Sequence, residues 1–594
     1  MAKVAHFVIS GTNRRRDRIT WLALPMILIL GLAFFLPLAR LLLGSLTTSS
    51  GLSFSRYGQL FDDQVFVDVV LRTIRIAGLV TFFTAVIGYP VAYAAARAQK
   101  WVGIAMLACV ILPLFTSSLV RSYAWRALLA DNGVINEWLV RLNIVDAPLK
   151  LLYNDTSIVI GMTQVLLPLM ILPIYATTKN LDRAIIDAAR SMGASQLAAW
   201  RTMTLPQSFK GVAAGASLVF ISSLGYYTTP ALLGGISTPM FAQLVDSQIN
   251  TKADYGPTTA ESALVLIGVA FLLVILRRPL GLVSSGNDGD DKKRRLSSPL
   301  STPLAYFHKG GDRLNGGVVG RSTRRAEELL SRVRWFVTGG LAVGGLVILV
   351  GPQVVIVLLA FNNSSFLSFP PTGYSTRWFT DYVHDDSWLG STRLSFVVSI
   401  VAATIATVIG TIAAFAVVRM RRKRLSVAVY MLGLTPLVIP PVLYAIGLFF
   451  VFIQIGVAGT ASGLVVAYAV LGIPYVVITS QPIVRDIEPL MERAAASMGA
   501  NAWRRAQTII LPLIVPAVVA SFLLAFIHAF DDLVVAVFLG SADTVTLQMR
   551  MYEDIQFEIS PKVAAVGVLV TCVMLLLGLA SMGLNRSRSR DLGR

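Results

Sequence analysis

The stretch WLALPMILILGLAFFLPLARLLL, Trp21–Leu43, is the first of several long apolar runs in this chain of 594 residues. The hydrocarbon core of a bilayer is about 30 Å thick, and a helix of about 20 residues crosses it. Because lipid offers the backbone no hydrogen bonds, only helices and closed barrels span membranes. The runs are longer and more evenly apolar than barrel strands. The sequence therefore predicts an all-α, polytopic membrane protein.

The composition supports this prediction. Hydrophobic residues make up 55% of the chain and charged residues 14%, against about 25% charged residues in an ordinary soluble domain. A net charge of +19 would suit a nucleic-acid-binding protein, but Arg and Lys cluster in loops predicted to be cytoplasmic, as the positive-inside rule requires. Neither the two cysteines, Cys109 and Cys572, nor the four scattered histidines predict a disulfide framework or a metal site.

The first apolar run could instead be a cleaved signal peptide, since Arg14, Arg15, Arg16 and Arg18 precede it. It is longer than a typical signal-peptide core, and no small-residue cleavage site follows at Arg40–Leu43. We therefore expect it to be retained as the first span.

Twelve spans are predicted, with both termini in the cytoplasm. They cover residues 21–43, 71–96, 102–128, 156–178, 209–235, 258–276, 335–361, 394–418, 426–454, 461–482, 513–540 and 562–584. Between the sixth and seventh spans, about 281–334, apolar content falls and Gly, Ser and charged residues dominate. We expect a flexible cytoplasmic linker there, between a first unit at 1–280 and a second at 335–594; a small folded domain is the alternative.

The two units are repeats of each other. Gly193 and Gly499 are 499 − 193 = 306 residues apart, and three further pairs share this spacing: Pro168 and Pro474, Pro206 and Pro512, Gly234 and Gly540. Upstream, Gly88 and Gly410 are 410 − 88 = 322 residues apart, so the first half has extra length, which we place in the outer loop at 131–157. Each unit starts and ends on the same side, which predicts two parallel six-helix repeats around a central pathway.

A cytoplasmic segment recurs between the fourth and fifth spans of each half. The first copy reads DAARSMGASQLAAWRTMTLP, 187–206, and the second RAAASMGANAWRRAQTIILP, 493–512. Alanines favour a helix with a low surface, the glycine ends it with a turn, and Trp200 or Trp503 adds a contact typical of interfaces. The proline can open the next helix. We call these segments the first and second knuckles.

The knuckles resemble the EAA loop of ABC importer permeases, although Arg493 stands where the family has an acid and Glu492 is displaced by one residue. The resemblance implies the type I importer permease fold, in a bacterial inner membrane. It also implies two ATP-binding partner subunits, which dock on the knuckles, and an external solute-binding protein. The residues carried over from the motif are Asp187, Ala188, Ala189, Gly193, Leu205, Pro206, Ala494, Ala495, Gly499, Leu511 and Pro512.

The resemblance extends to a substrate class. SSLGYYTTPALLGG in the first half and HAFDDLVVAVFLGSADTVTLQMRMYEDI in the second are similar to the two spermidine/putrescine permease subunits, so the chain resembles their fusion. This implies polyamine transport; related permeases carry iron(III), thiamine or phosphonates. The chain has no G-x-x-x-x-G-K-[ST] segment. It is therefore not expected to be an enzyme or to hold a cofactor, and ATP and Mg would be bound by the partner subunits.

Charged residues inside spans are costly and are candidates for function. Asp531 and Asp532 lie in the eleventh span, and their repeat equivalents are Gly225 and Tyr226. Carboxylates facing Tyr226 and Tyr227 would suit an organic ammonium group. Helix capping, or pairing with Arg550, is the structural alternative.

Three other charged residues are weighed in the same way. Glu261, in the sixth span, is a further pathway candidate, and pairing with Lys252 is its alternative. Arg121 and Arg126, at the outer end of the third span, are expected to snorkel to the surface or to contact an external partner rather than to meet a cation.

Two other function classes remain as alternatives. A major-facilitator-type secondary transporter would need a G-x-x-x-D-R-x-G-R-like loop after the second span, where this chain has RAQKW and RMRRKRL. A membrane enzyme would need clustered catalytic residues at one interface, which the sequence does not indicate.

Overall fold

The computed structural model describes residues 18–48, 51–181, 184, 187–188, 191, 199–235, 237–251, 255–276, 318–365, 371, 373–558 and 560–591. Within these ranges the chain is helical apart from loops and a small antiparallel hairpin, so the all-α prediction is confirmed. The hairpin pairs β1, Thr47–Thr48, with β2, Gly51–Leu52.

The helices follow the order expected of a repeat. Those of the first half are α1 Ile19–Leu46, α2 Ser55–Asp62, α3 Gln64–Arg97, α4 Lys100–Ile111, α5 Ser118–Leu129, α6 Val134–Arg141, α7 Asp155–Lys179, α8 Leu205–Leu224, α9 Thr228–Leu233, α10 Phe241–Asp246 and α11 Tyr255–Leu276. Those of the second half are α12 Val318–Ala360, α13 Arg377–Val383, α14 Asp386–Arg419, α15 Lys423–Val438, α16 Pro441–Gln454, α17 Ala461–Asp486, α18 Pro489–Ser497, α19 Ala502–Arg505, α20 Leu511–Asp531, α21 Val534–Leu539, α22 Leu547–Phe557 and α23 Lys562–Asp591.

In the described part of the chain, nine helices are long and apolar enough to cross a bilayer, and two bent pairs raise the number to eleven. All eleven match predicted spans. The predicted span at 209–235 falls outside this count because α8 opens with Gln207, Ser208 and Lys210 and ends at Leu224. A break at Gly225–Tyr227 separates it from α9.

The third span of each half is bent rather than straight. The segment containing α4 meets that containing α5 at 100°, and α15 meets α16 at 94°. In the second half Pro440 and Pro441 cause the break, because a residue before proline avoids the helical conformation and proline has no N–H to donate. We call these two positions the third-span breaks.

The helix boundaries reproduce the repeat. Helices α3 and α14 each contain 34 residues and start 386 − 64 = 322 positions apart. Their N-caps correspond as well, since Asp63 and Asp385 each accept two backbone N–H groups of the first turn. Helices α7, α8 and α9 start 306 positions before α17, α20 and α21. The extra residues of the first half contain α6, in the loop at 131–157 where they were predicted.

Each half is built on a three-helix core, α3 with α7 and α8 in the first and α14 with α17 and α20 in the second. The first helix of each half also packs on the other half: α1 contacts α14 and α16, and α12 contacts α3. The apolar faces buried in this exchange include Met26 and Phe34 of α1. The exchange makes the two halves one structural unit.

The predicted linker lies mostly outside the described residues. Its last part, 318–334, belongs to α12, which begins at Val318 rather than near 335. The boundaries of the two units and the linker stay predictions.

Candidate functional site

The second knuckle is described in full. Helix α18 ends in a turn in which Ala500 N donates to Ala495 O at 3.0 Å and Gly499 N to Ala496 O at 3.1 Å. This pair of bonds is the Schellman arrangement, which places the residue after the helix in the left-handed region. Gly499 occupies that position with φ +84°. The glycine therefore makes the turn that its place in the motif predicts.

The surface of the second knuckle is apolar and exposed. Helices α18 and α19 pack against each other. Leu490, Met491, Met498 and Trp503 on and around them are 65%, 50%, 81% and 71% exposed. Exposed apolar groups of this size on one segment are typical of a surface that contacts another molecule.

An ion pair holds the second knuckle to the core. Arg419, the last residue of α14, places Nη2 2.6 Å from Glu492 Oε1 and also donates to Ile487 O at 3.3 Å. Both side chains are half-buried. Glu492, the acid that is displaced by one residue from the motif, thus fixes α18 to the end of the core helix α14.

The first knuckle is described only in part. Asp187 and Ala188 are helical, and Ser191 Oγ donates to Asp187 O at 3.0 Å. Ala189 and Gly193 lie outside the described residues. Trp200 stands edge-on to Tyr89 at 6.4 Å, so it contacts the chain's own core helix α3, whereas Trp503 is exposed.

Pro206 and Pro512 do not open their helices, contrary to the prediction. A π-helical turn precedes each one, at Trp200–Thr204 and at Ala506–Ile510, and the helix continues through it. Leu205 N donates to Trp200 O and Leu511 N to Ala506 O, five residues back. The wider turn suits a proline that follows, since proline lacks the N–H of a normal helical bond.

One pathway candidate, Asp531, lies at the interface between the halves. Asp531 Oδ2 accepts a hydrogen bond from Ser118 N at 3.4 Å, at the third-span break of the first half. Its repeat equivalent Gly225 packs closely against Pro440, at the third-span break of the second half. A Cβ atom added to Gly225 would lie only 2.3 Å from Pro440 Cβ. The end of each fifth span therefore contacts the third-span break of the opposite half. We call Ser118, Gly225, Pro440 and Asp531 the central gate.

Asp531 is accompanied by a buried arginine. The charge of Arg121 acts on both Asp531 and Tyr226, and the Tyr226 hydroxyl interacts with the side chain of Ser118. Arg121 is only 5% exposed and donates from Nη1 to Val165 O at 3.4 Å. The expectation that it reaches the surface is wrong, because α5 turns inward after the third-span break.

Arg126 is also buried, with 8% exposure, against the same expectation. Its Nη1 donates to Ile555 O of the second half at 2.8 Å, and its guanidinium lies 5.6 Å from the centre of the Tyr153 ring. Both arginines are thus buried in the protein interior.

Asp532 caps the next helix. Its Oδ1 accepts from Val535 N at 2.7 Å, as the capping alternative required. The other alternative, pairing of the acids with Arg550, is wrong: Arg550 contacts Ser387 and Glu553.

Tyr227 is committed to a network between the halves. Its hydroxyl donates to Asp246 Oδ2 at 2.9 Å and lies 3.2 Å from the Tyr552 hydroxyl of the second half. The side chain is 1% exposed. Burial raises the pKa of Asp246, and the hydrogen bonds from Asn250 and Tyr227 oppose that rise. Tyr227 therefore holds the halves together beside the gate rather than facing the gate residues.

Glu261 belongs to another cluster. It is 1% exposed, and its Oε1 accepts from Gln248 Nε2 at 2.8 Å. Gln248 Oε1 in turn accepts from Thr258 Oγ1 at 2.8 Å. The alternative partner Lys252 lies outside the described residues.

Sequence reasoning missed two residues at the interface of the halves. Gln548 accepts from Ser117 Oγ at 3.0 Å, next to the gate, and Tyr552 joins the Tyr227 network. The only available signal was the repeat itself, because Tyr552 is the equivalent of Asp246 (552 − 246 = 306).

Comparison with known proteins decides the family. The binding-protein-dependent transport system inner membrane component matches twice, over residues 85–278 and 406–592. The chain belongs to this family. Each match covers one of the two repeats, so one chain of this permease carries two copies of the family domain, in agreement with a fused permease.

Individual relatives point to the same family. Over 213 residues the permease is 29% identical to the spermidine/putrescine transport system permease protein PotB of Escherichia coli (strain K12), covering 36% of this chain and 78% of the relative. PotB of Salmonella typhimurium (strain LT2) is 28% identical over 213 residues, 36% of this chain and 74% of the relative. The putrescine transport system permease protein PotI of Escherichia coli (strain K12) is 30% identical over 260 residues, 42% of this chain and 92% of the relative.

Family membership fixes the coarse function. The protein is an inner-membrane transport permease and not an enzyme. The family name ties transport to a binding protein, which makes a solute receptor an expected partner.

Proposed function

We propose that this chain forms the complete translocation pathway of an ATP-driven importer of polyamines such as spermidine and putrescine. The observation that carries the proposal is the double family match, with one knuckle in each copy. Both halves of a pathway that relatives build from separate permeases would then come from one polypeptide, joined by the linker at about 281–334.

Two ATP-binding subunits would dock on the two knuckles, at the cytoplasmic face. The exposed Leu490, Met498 and Trp503 supply the apolar contacts of such a docking surface. The Arg419–Glu492 ion pair would pass a movement of the knuckle to α14, a core helix. Both termini would lie in the cytoplasm, and the external solute-binding protein would bind at the opposite face.

The relatives' names and the chemistry of the interface support polyamine transport. Relatives named for spermidine and putrescine match this chain at 28–30% identity. Carboxylates and aromatic rings are the groups that bind organic ammonium ions, and both kinds occur at the interface of the halves, in Asp531, Asp532 and Tyr226. Passage would require the gate contacts Ser118–Asp531 and Gly225–Pro440 to separate.

The test is reconstitution of the permease with the ATPase and receptor from the same transport system. We expect ATP-dependent uptake of radiolabelled putrescine or spermidine into liposomes. Iron(III), thiamine and a phosphonate serve as competing substrates. Uptake of one of these in place of both amines would refute the substrate, and uptake without ATP would refute the ATP-driven mechanism.

A further inference from the structure

The two acids at the C-terminal end of α20, Asp531 and Asp532, have different surroundings. Asp531 is under the influence of the Arg121 charge and accepts the Ser118 N–H. No Arg or Lys in the described part of the chain contacts Asp532. Its carboxylate instead lies within electrostatic range of the Tyr444, Tyr468 and Tyr475 hydroxyls. The Asp532 carboxyl group thus has no Arg or Lys partner within the described part of the chain.

Aromatic groups surround Asp532. The Tyr468 hydroxyl donates to the Asp532 backbone carbonyl at 3.2 Å. The Tyr475 ring lies 4.8 Å from the His528 ring, and its hydroxyl is 3.5 Å from His528 Nδ1. Asp532, Tyr475 and His528 are half-buried, whereas Tyr444 and Tyr468 are buried. The first three side chains thus keep some exposed surface, and the other two are buried; we call Asp532, Tyr475 and His528 the acidic–aromatic pocket.

The first half has the opposite character at equivalent positions. Tyr444 is the fourth residue of α16, and Arg121 is the fourth residue of α5. Tyr226 is the equivalent of Asp532 (532 − 226 = 306). This pair of equivalent positions therefore holds an acid and an aromatic ring in the second half, Asp532 and Tyr444. In the first half it holds an aromatic ring and a base, Tyr226 and Arg121. His528 and Tyr475 likewise correspond to Ser222 and Leu169 in the first half, so the pocket exists on one side only.

We infer that an ammonium group of the cargo binds in the pocket formed by Asp532, Tyr475 and His528, in the second half of the chain alone. This inference rests on the proposed amine transport and names the subsite for it. The Asp532 carboxylate pairs with the ammonium, and the Tyr475 ring adds a cation–π contact. Arg121 repels the cargo from the first half and, by balancing Asp531, leaves Asp532 as the acid that selects cations. A polyamine carries several ammonium groups, and it places one of them in the pocket at a time.

The test measures kcat and KM for putrescine and spermidine uptake in liposomes that hold the complete transporter. Asp532→Asn removes the charge but keeps an N-cap acceptor for Val535 N. We expect it to raise KM at least about tenfold, which corresponds to 1.4 kcal/mol, and to leave kcat and ATPase assembly nearly unchanged. Tyr475→Leu should raise KM by about threefold, the effect of one exposed cation–π contact. Asp532→Glu should recover part of the lost affinity.

Asp543→Asn is the matched control, because Asp543 is an exposed acid in the turn after α21. It should behave as the parent does. If Asp532→Asn lowers kcat with KM unchanged, or if both Asp532→Asn and Tyr475→Leu match the parent, the pocket is structural and the inference is overturned. If the parent transports neither amine, the proposed substrate fails and the pocket assignment fails with it. If Asp532→Asn does not assemble, the KM values of Tyr475→Leu and Asp532→Glu decide the question.

Discussion

Replacing Gly499 by valine should uncouple the second knuckle from its ATPase. Gly499 has φ +84°, and no atom lies within 4 Å of the position that a Cβ would take. The cost of valine is therefore backbone strain rather than collision. The left-handed conformation costs an L-residue roughly 1–2 kcal/mol, so the knuckle would shift to another turn. If the ATPase subunit binds the native turn, its affinity for the permease should fall about five- to thirtyfold.

The assay is ATPase binding to the purified permease, together with uptake at matched expression. Gly456→Val is the control. Gly456 also has positive φ, +68°, with open space around it, but it lies in the turn between α16 and α17. Gly499→Asn should be milder, since asparagine tolerates the left-handed region. The reasoning is refuted if Gly499→Val binds ATPase and transports as the parent does, or if Gly456→Val loses ATPase binding to the same degree.

Three further results are expected. The intact complex should contain one permease chain, two ATPase subunits and one receptor, and a mass showing two permease chains would contradict this. Glu492→Gln should weaken ATPase-coupled transport severalfold, because it breaks the half-buried pair with Arg419, whereas Glu553→Gln, at the more exposed pair with Arg550, should have little effect. Burial raises the pKa of Asp554 to about 7, helped by its neighbour Glu558. A raised carboxyl pKa means that the folded state binds more protons between about pH 4 and 7. The contribution of Asp554 to thermal stability should therefore fall as pH rises from about 4 to about 7 and level off above that. Asp554→Asn should reduce the fall, and an unchanged pH profile in this variant would show that Asp554 does not cause it.

Local features of the fold were predictable because their causes are local. Apolar runs of span length gave eleven of the twelve predicted spans, and the repeat spacing gave the correspondence of α3 with α14. The turn at Gly499 followed from the position of a glycine after an alanine helix. The span at 209–235 was the difficult case, because Gln207, Ser208 and Lys210 reduce its apolar character and Gly225 follows its end.

Two predictions from common sequence rules failed, one about prolines at helix starts and one about arginines at span ends. Proline at the start of a helix is the usual arrangement, yet π-helical turns carry the helix past Pro206 and Pro512. Arginine near the end of a span is usually at the surface, yet the 100° bend turns Arg121 into the core.

The sequence by itself determined a helical membrane protein, two parallel repeats and two knuckles, since hydrophobic length, spacing and turn residues act over short distances. Only the tertiary structure decided which acid lies within electrostatic range of an arginine and which does not. Asp531 meets Ser118 across 413 positions of the chain, and Arg121 comes near it only because the third span bends and the two halves face each other. No periodicity encodes such a contact. It arises from packing, and packing also leaves Asp532 among tyrosines without a basic partner in the described part of the chain.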